Sequence, residues 1–384
     1  MMNTSTDLNR PNLLQRYLTL EHPRVVGLMS GTSADAIDAA LVEMGAEPKL
    51  LRFVSLPLPA PVRLRLQDIF ADRGTPSDLT QMHWLLGELF AQAALEAMGE
   101  EGADLIASHG QTVCHLPNAS DYLGYAVRGT LQIGEGAVIA ERTGCLTVCD
   151  FRPQDLAVGG QGAPLVPYTD YLLFHSPEAD RITLNIGGMS NITVIPAQGE
   201  VVACDTGPGN ALSDALTCMA TGQFYDENGA LAAQGKVLPE LLSELMTHPY
   251  LALPAPKSTG REVFGRPLAE KLRGRGEMND LIRTAVAFTA QSIAVHVERY
   301  APGLVDLLAA GGGVENPVLW RELQQRLPAR VRLRRLEELG VPAQARECLA
   351  FALLGHEAVL GRPANLPGAT GAKRRVVLGK LVIP

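Results

Sequence analysis

Residues 25–42 read VVGLMSGTSADAIDAALV, two short apolar runs, Val25–Met29 and Ile37–Val42, around a turn of Ser30, Gly31, Thr32, Ser33, Ala34 and Asp35. Glycine and small hydroxyl residues between apolar runs specify a strand, a tight turn and a second strand. The turn offers closely spaced backbone N–H groups, several hydroxyls and a carboxylate. A phosphate chain with a divalent cation needs that set, because amides hold the oxygens and an acid lies near the metal. No Lys follows the glycine, so this is not a Walker loop. By itself the stretch is equally a plain hairpin with a Ser/Thr-rich turn.

The same form recurs at RITLNIGGMSNITVI (181–195), again a strand, a Gly/Ser/Asn turn and a strand. Recurrence of a supersecondary pattern in the two halves of a chain suggests internal duplication. A length of 384 residues also argues for two domains. After the second hairpin, VVACDTGPGNALSDALTCMATG (201–222) predicts a strand ending at Asp205. A Gly-Pro-Gly turn and a helix follow, capped by Asn210 and ended by Gly222. A carboxylate at a strand end, before a glycine turn, is well placed for catalysis, although an isolated turn Asp bonded to its own backbone reads the same way. LVDLLAAGGGVENPVLWRELQQRL (304–327) predicts a strand, the glycines Gly311, Gly312 and Gly313, and a helix, a way to lay a nucleotide against backbone.

Other loops carry weaker signals. ADLIASHG (103–110) reads as a strand stopping at a polar turn with His109, Gln111 and His115. Two histidines without a third ligand make a poor metal site. The glycines at 159, 160 and 162 crowd behind Arg152 and Asp155, which are candidates for holding polar substrate groups or for pairing on the surface. PAPKSTGREVFG (254–265) is a Pro/Gly-bounded loop with Lys257, Ser258, Thr259, Arg261 and Glu262. Over 78–98, Leu79, Met82, Leu85, Leu86, Leu89 and Phe90 form one helical stripe, read as core.

Charge narrows the partners. A net charge of −8 argues against nucleic acid or an anionic membrane as a partner, because both require basic surface. No apolar run approaches the ~20 residues of a membrane span, and residues 1–24 lack a signal core, reading as an N-terminal arm. Six scattered cysteines without C-x-x-C spacing fit reduced thiols in a cytoplasmic protein.

In order along the chain, GLMSGTS, SHGQTV, TLQIG, ERTG, DFR, GGQGAPLVP, LNIGGMSN, DTGPGNAL, PKSTGRE, GGGVENP, NLPGATGA and VLG resemble the anhydro-N-acetylmuramic acid kinase family from about Val25 to Gly379. The resemblance implies an α/β chain with the two-domain sugar-kinase/Hsp70/actin-like ATPase fold and a nucleotide cleft between the domains. The expected division is an arm at 1–24, a first domain at 25–150, and a second at 151–365, with a segment of about 366–384 open to rejoining the first. The implied reaction takes 1,6-anhydro-N-acetylmuramic acid, ATP and water to N-acetylmuramic acid 6-phosphate, in peptidoglycan recycling. ATP and Mg²⁺ are the implied cofactors, and a homodimer the implied assembly.

Carried onto this chain, Gly31, Thr32, Ser33, Ala34, Asp35, Ala36, Ile37 and Asp38 match the ATP-binding turn, and Asp205 the catalytic carboxylate. Gly187 and Gly188 resemble the second phosphate turn, and Gly311 to Gly313 the adenosine-side glycines. His109, Gln111, Arg152, Gly207, Gly209 and Asn210 are the candidate sugar contacts, and the metal ligands are unassigned. Two departures mark the turn, since the family usually has Leu and Gly where this chain has Ala34 and Ala36. An ordinary sugar kinase and a non-catalytic ATP-dependent binding protein are the alternatives of the same fold.

Overall fold

A computed structural model describes residues 12–384 apart from Thr32 and Val341. The chain divides into two compact units, the first comprising residues up to Thr169 together with Ala345–Pro384, the second Asp170–Gln344. The boundaries therefore fall at 169/170 and 344/345, not at 150/151 and 365/366. The physical reason lies in the helix Arg346–Val359, which packs on the first unit's sheet. Of the N-terminal arm, Leu13–Leu18 is helical, and Tyr17 holds it to that helix through a 2.7 Å bond between its hydroxyl and His356 Nδ1.

The first unit is built on β1 (Arg24–Ser30), β2 (Ala36–Glu43), β3 (Lys49–Pro57), β4 (Leu105–Tyr122), β5 (Tyr125–Ile133) and β6 (Leu146–Cys149). β1 and β2 pair as the antiparallel hairpin expected from the opening stretch, with Met29 opposite Asp38. β1 also pairs in parallel with β4, so it lies inside the sheet and reads as a nearly continuous apolar run. Gly27 permits the close approach of the helix Arg346–Val359, since a Cβ there would lie 1.8 Å from the Cys348 carbonyl oxygen. The opposite face is covered by the helix Pro76–Met98, started by a Thr75/Asp78 capping box. Of its apolar stripe, Met82, Leu86 and Phe90 are buried, whereas Leu85 faces solvent.

β4 departs from expectation. The segment SHGQTVCH is not a turn but continues the strand, because Gln111 to Leu116 pair with β5. Gly110, at φ +75°, lets the chain kink without ending the strand.

The second unit carries β7 (Asp180–Ile186), β8 (Met189–Ile195), β9 (Val202–Pro208), β10 (Val305–Ala310) and β11 (Val331–Arg335), in the order β11-β10-β7-β8-β9. β7, β8 and β9 are antiparallel neighbours, and β10 is parallel to both β7 and β11. The helix Met278–Tyr300 is buried along most of its length in this unit's core. β12 (Lys380–Val382) then pairs antiparallel with β6, returning the chain's last segment to the first unit. Among the described residues no helix is long and apolar enough to cross a membrane. All six cysteines are free thiols, with Cys114 and Cys218 exposed.

Candidate functional site

In the first unit, the turn between β1 and β2 is braced from β4. Ser30 Oγ donates to Gln111 Oε1 at 2.7 Å and to the Ala36 carbonyl at 3.0 Å. Gln111 Nε2 in turn donates to the Gly31 carbonyl at 3.1 Å. Gln111 is fully buried and committed to holding this turn. Gly31 has nothing within 4 Å of where a Cβ would stand, leaving its backbone open on that side. Thr32 lies outside the described residues. Ser33 and Asp35 are exposed, Asp35 lying 3.7 Å from Arg63.

The two alanine positions differ. Ala34 has φ +52° and is buried, its N–H bonded to the Gly31 carbonyl. Ala36 opens β2 and is not left-handed. Ile37 belongs to the core, so only its backbone can face a ligand. Asp38 is half-buried and accepts from Ser55 Oγ at 2.5 Å.

His109 and Arg152 meet in the same unit. Arg152 Nε lies 3.0 Å from His109 Nε2, and Arg152 Nη1 donates to the Gly162 carbonyl at 2.7 Å. The other ring nitrogen, Nδ1, lies 2.8 Å from the Gly110 carbonyl, which assigns it the proton and leaves Nε2 as acceptor. Burial, then the Arg152 charge, lowers the His109 pKa to about 3, so the ring is neutral. Asp155 is fully buried and does not face a substrate. Its carboxylate accepts from the Gly162 N–H, Asn365 Nδ2 and Thr370 Oγ1 at 2.7–2.8 Å, tying the glycine loop to the segment after 364.

In the second unit, Asp205 lies at the middle of β9, which does not end there as expected but runs on through Gly207 to Pro208, paired with β8. Its N–H donates to the Lys257 carbonyl at 3.0 Å, and its carbonyl accepts from the Tyr250 hydroxyl at 3.0 Å. One carboxylate oxygen accepts from the Thr259 N–H at 2.9 Å. The loop around 257–259 thus clamps both backbone and carboxylate. Burial raises the Asp205 pKa to about 6, against the lowering effect of the Thr259 amide and the Lys257 charge. Lys257 is itself held by the Tyr250 carbonyl at 2.9 Å and by the Tyr250 ring, 4.5 Å away. The Thr259 hydroxyl is buried without a hydrogen-bond partner among the described residues.

The glycine turn joins β7 to β8 and meets the end of β9. The Gly188 carbonyl accepts from the N–H groups of Gly209 and Ala211, and the Gly187 carbonyl from that of Asn210. A Cβ at Gly209 would fall 2.2 Å from the Gly187 oxygen, so this crossing requires glycine. Gly207, at φ +141°, lies in the same segment. Asn210 begins the helix Ala211–Thr221, but its backbone is already helical (φ −88°, ψ −14°) and its side chain makes no capping bond; the glycine carbonyls take the Asn210 and Ala211 amides. The Asn210 side chain approaches Gly313, whose Cβ would lie 3.2 Å from Asn210 Oδ1. Gly311 to Gly313 do not open a helix directly. A 3-10 turn, Gly312–Glu315, and the side-chain cap of Asn316 separate them from the helix Pro317–Arg326. Gly312 has open space around it, whereas Gly311 is fixed at φ +90° close against Ile186.

The structure therefore gathers Gly31, Ser33, Ala34, Asp35, Ala36 and Gln111 at one place in the first unit and His109 with Arg152 at another. In the second unit it gathers Asp205, Gly187, Gly188, Gly207, Gly209, Asn210 and Gly313. The sequence had singled out the loop 254–265 but gave its side chains no role; the clamp on Asp205 by Tyr250, Lys257 and Thr259 comes from tertiary contact. Among the described residues no three His, Cys, Asp or Glu side chains cluster as metal ligands. Mg²⁺ in kinases is commonly held by one or two carboxylates and substrate phosphates, which this chain's isolated acids suit.

Residues 23–384 match the family model described as anhydro-N-acetylmuramic acid kinase. A protein of that name from Caldanaerobacter subterraneus subsp. tengcongensis is 44% identical, over 96% of this chain and 99% of its own length. Its namesake from Bacillus cereus is 39% identical over 94% and 99%, and that from Salinibacter ruber 40% identical over 94% and 96%. With a match running from before β1 to the last residue, the chain belongs to the anhydro-N-acetylmuramic acid kinase family.

Proposed function

We propose that this chain converts 1,6-anhydro-N-acetylmuramic acid, ATP and water to N-acetylmuramic acid 6-phosphate and ADP, within cytoplasmic recycling of peptidoglycan fragments. Family membership supports the reaction, and Asp205 is the observation that carries its mechanism. A carboxylate with a pKa of about 6 is ionised at neutral pH yet basic enough to take a proton. Asp205 orients a water and accepts its proton as the water oxygen bonds to C1 of the sugar. The C1–O6 bond breaks, and O6 takes the terminal phosphoryl group of ATP, so no free alkoxide forms and no separate acid is needed. The proton on Asp205 then passes to solvent.

The fit to ATP rests on backbone that glycine leaves accessible. Gly31 and Gly312 are open, and the Gly187–Gly188 turn is fixed against Gly209 and Asn210. We assign the segment from Gly31 to Asp38 to the phosphates, with Gly187 and Gly188 as the second phosphate turn and Gly311 to Gly313 on the adenosine side. Asp38 is the acid of that segment available to a hydrated Mg²⁺, which when bound would offset phosphate charge. His109 and Arg152 support the sugar side by fixing backbone rather than by presenting free side chains, while Gln111 braces the phosphate turn. Two copies are expected to associate, which light scattering on an eluting sample measures directly. Mass spectrometry of products made in ¹⁸O-labelled water tests the reaction itself. Label at the anomeric hydroxyl supports water attack at C1; phosphorylation only of the already opened sugar would identify an ordinary sugar kinase instead.

A further inference from the structure

Resting on the assignment of Gly187–Gly188 as a phosphate turn, we infer that Arg261 is the cation that holds the transferring end of the phosphate chain. Arg261 follows directly on the loop that clamps Asp205, two residues after Thr259. Its guanidinium lies along the glycine turn: a Cβ at Gly188 would stand 3.2 Å from both Nε and Nη2. Glycine at 188 therefore makes room for a flat, charged group beside the turn's backbone. Among the described residues the guanidinium makes no ion pair and no hydrogen bond. Its charge also acts on Asp214, where it works against the burial that raises that acid to about 6. Other exposed arginines of this unit, such as Arg266 and Arg275, are each held by a glutamate at 2.7–2.9 Å.

An unpaired guanidinium beside a glycine turn is suited to anionic oxygens, because its planar fork donates two parallel N–H groups to phosphate. One short loop would thus carry both the Thr259 amide that holds the base and the cation, Arg261. A sugar carboxylate shares this chemistry, so the test separates the two anions.

The experiment measures binding of a non-hydrolysable ATP analogue and of ADP by calorimetry, with Mg²⁺, for the full chain and for Arg261→Gln, Arg261→Lys and Arg266→Gln. Arg261→Gln is expected to weaken the ATP analogue about tenfold or more, the usual effect of losing one charge-assisted contact, with little change for ADP. Arg261→Lys should fall between, and Arg266→Gln should bind as the parent. Melting temperatures of the free proteins should agree. Equal loss for both nucleotides, equal loss in Arg266→Gln, or a lower melting temperature with unchanged affinity would each overturn the assignment. So would a defect confined to turnover of sugars bearing the lactyl carboxylate and absent with the anhydro sugar lacking it. If the parent chain binds no ATP analogue, it is the phosphate-turn reading that fails.

Discussion

Replacing Asp205 with Asn separates the base from the turn. Asn keeps the shape and one acceptor oxygen for the Thr259 N–H, and it leaves the Tyr250 and Lys257 backbone bonds in place. What it removes is the charge. Raising the acid from its ordinary 3.8 to about 6 makes ionisation in the folded chain unfavourable by about 3 kcal/mol. Screening at this half-buried position reduces that to about 1–2 kcal/mol. The sign follows from proton uptake. Between about pH 4 and 6 the folded chain keeps a proton that the unfolded chain has lost, so stability falls as pH rises through that window and is level above it. Asp205→Asn should therefore melt at or above the parent's temperature at neutral pH, with the difference gone near pH 4. General-base catalysis is worth about 10²–10⁴-fold, roughly 3–5 kcal/mol of barrier, so single-turnover phosphorylation should fall by that factor while ATP-analogue affinity holds. Ring opening at near-parental rate, or a lower melting temperature at neutral pH with turnover per folded molecule intact, would refute the reasoning and return Asp205 to a turn role.

The pH profile of kcat/KM should rise through about pH 6 as Asp205 ionises, and that limb should vanish in the Asn variant. Asp155→Ala leaves three buried donors without their acceptor; at about 1–3 kcal/mol for each, partly relaxed, it should cost at least about 3 kcal/mol and speed amide exchange over 159–162 and 365–371. Ala36→Gly should leave the KM for ATP within a few-fold, since Ala36 is not left-handed; a tenfold improvement would reveal strain there. Ala34→Gly relieves a left-handed alanine at φ +52° but removes a buried methyl, so thermal melts should show a net change below about 1 kcal/mol.

What the sequence made legible was local. The hairpins at 25–42 and 181–195 follow from apolar runs interrupted by glycine, and they are β1–β2 and β7–β8. The extent of β4 was hidden because its exposed half carries no buried face, so polar residues such as His115 read as turn while the backbone pairs with β5. The role of Gln111 was hidden too, because its partners Ser30 and Gly31 are distant in sequence and meet it only through the β1–β4 pairing. The capping expected of Asn210 failed because its backbone is held in the helical region, from which the side chain does not reach back to the second and third amides of the helix.

The helix Arg346–Val359 and β12 have a consequence for biosynthesis. The second unit is a continuous insertion, 170–344, inside a first unit whose sheet lacks its covering helix and edge strand until 345–384 is made. Domains tend to fold as they are synthesised, in order. Here the order inverts: the inserted unit is complete first, while β1 waits with the bare backbone of Gly27 uncovered. A ribosome-stalled chain ending before residue 345 should show a protease-resistant second unit beside a protease-sensitive first one, and release of the remaining segment should protect both.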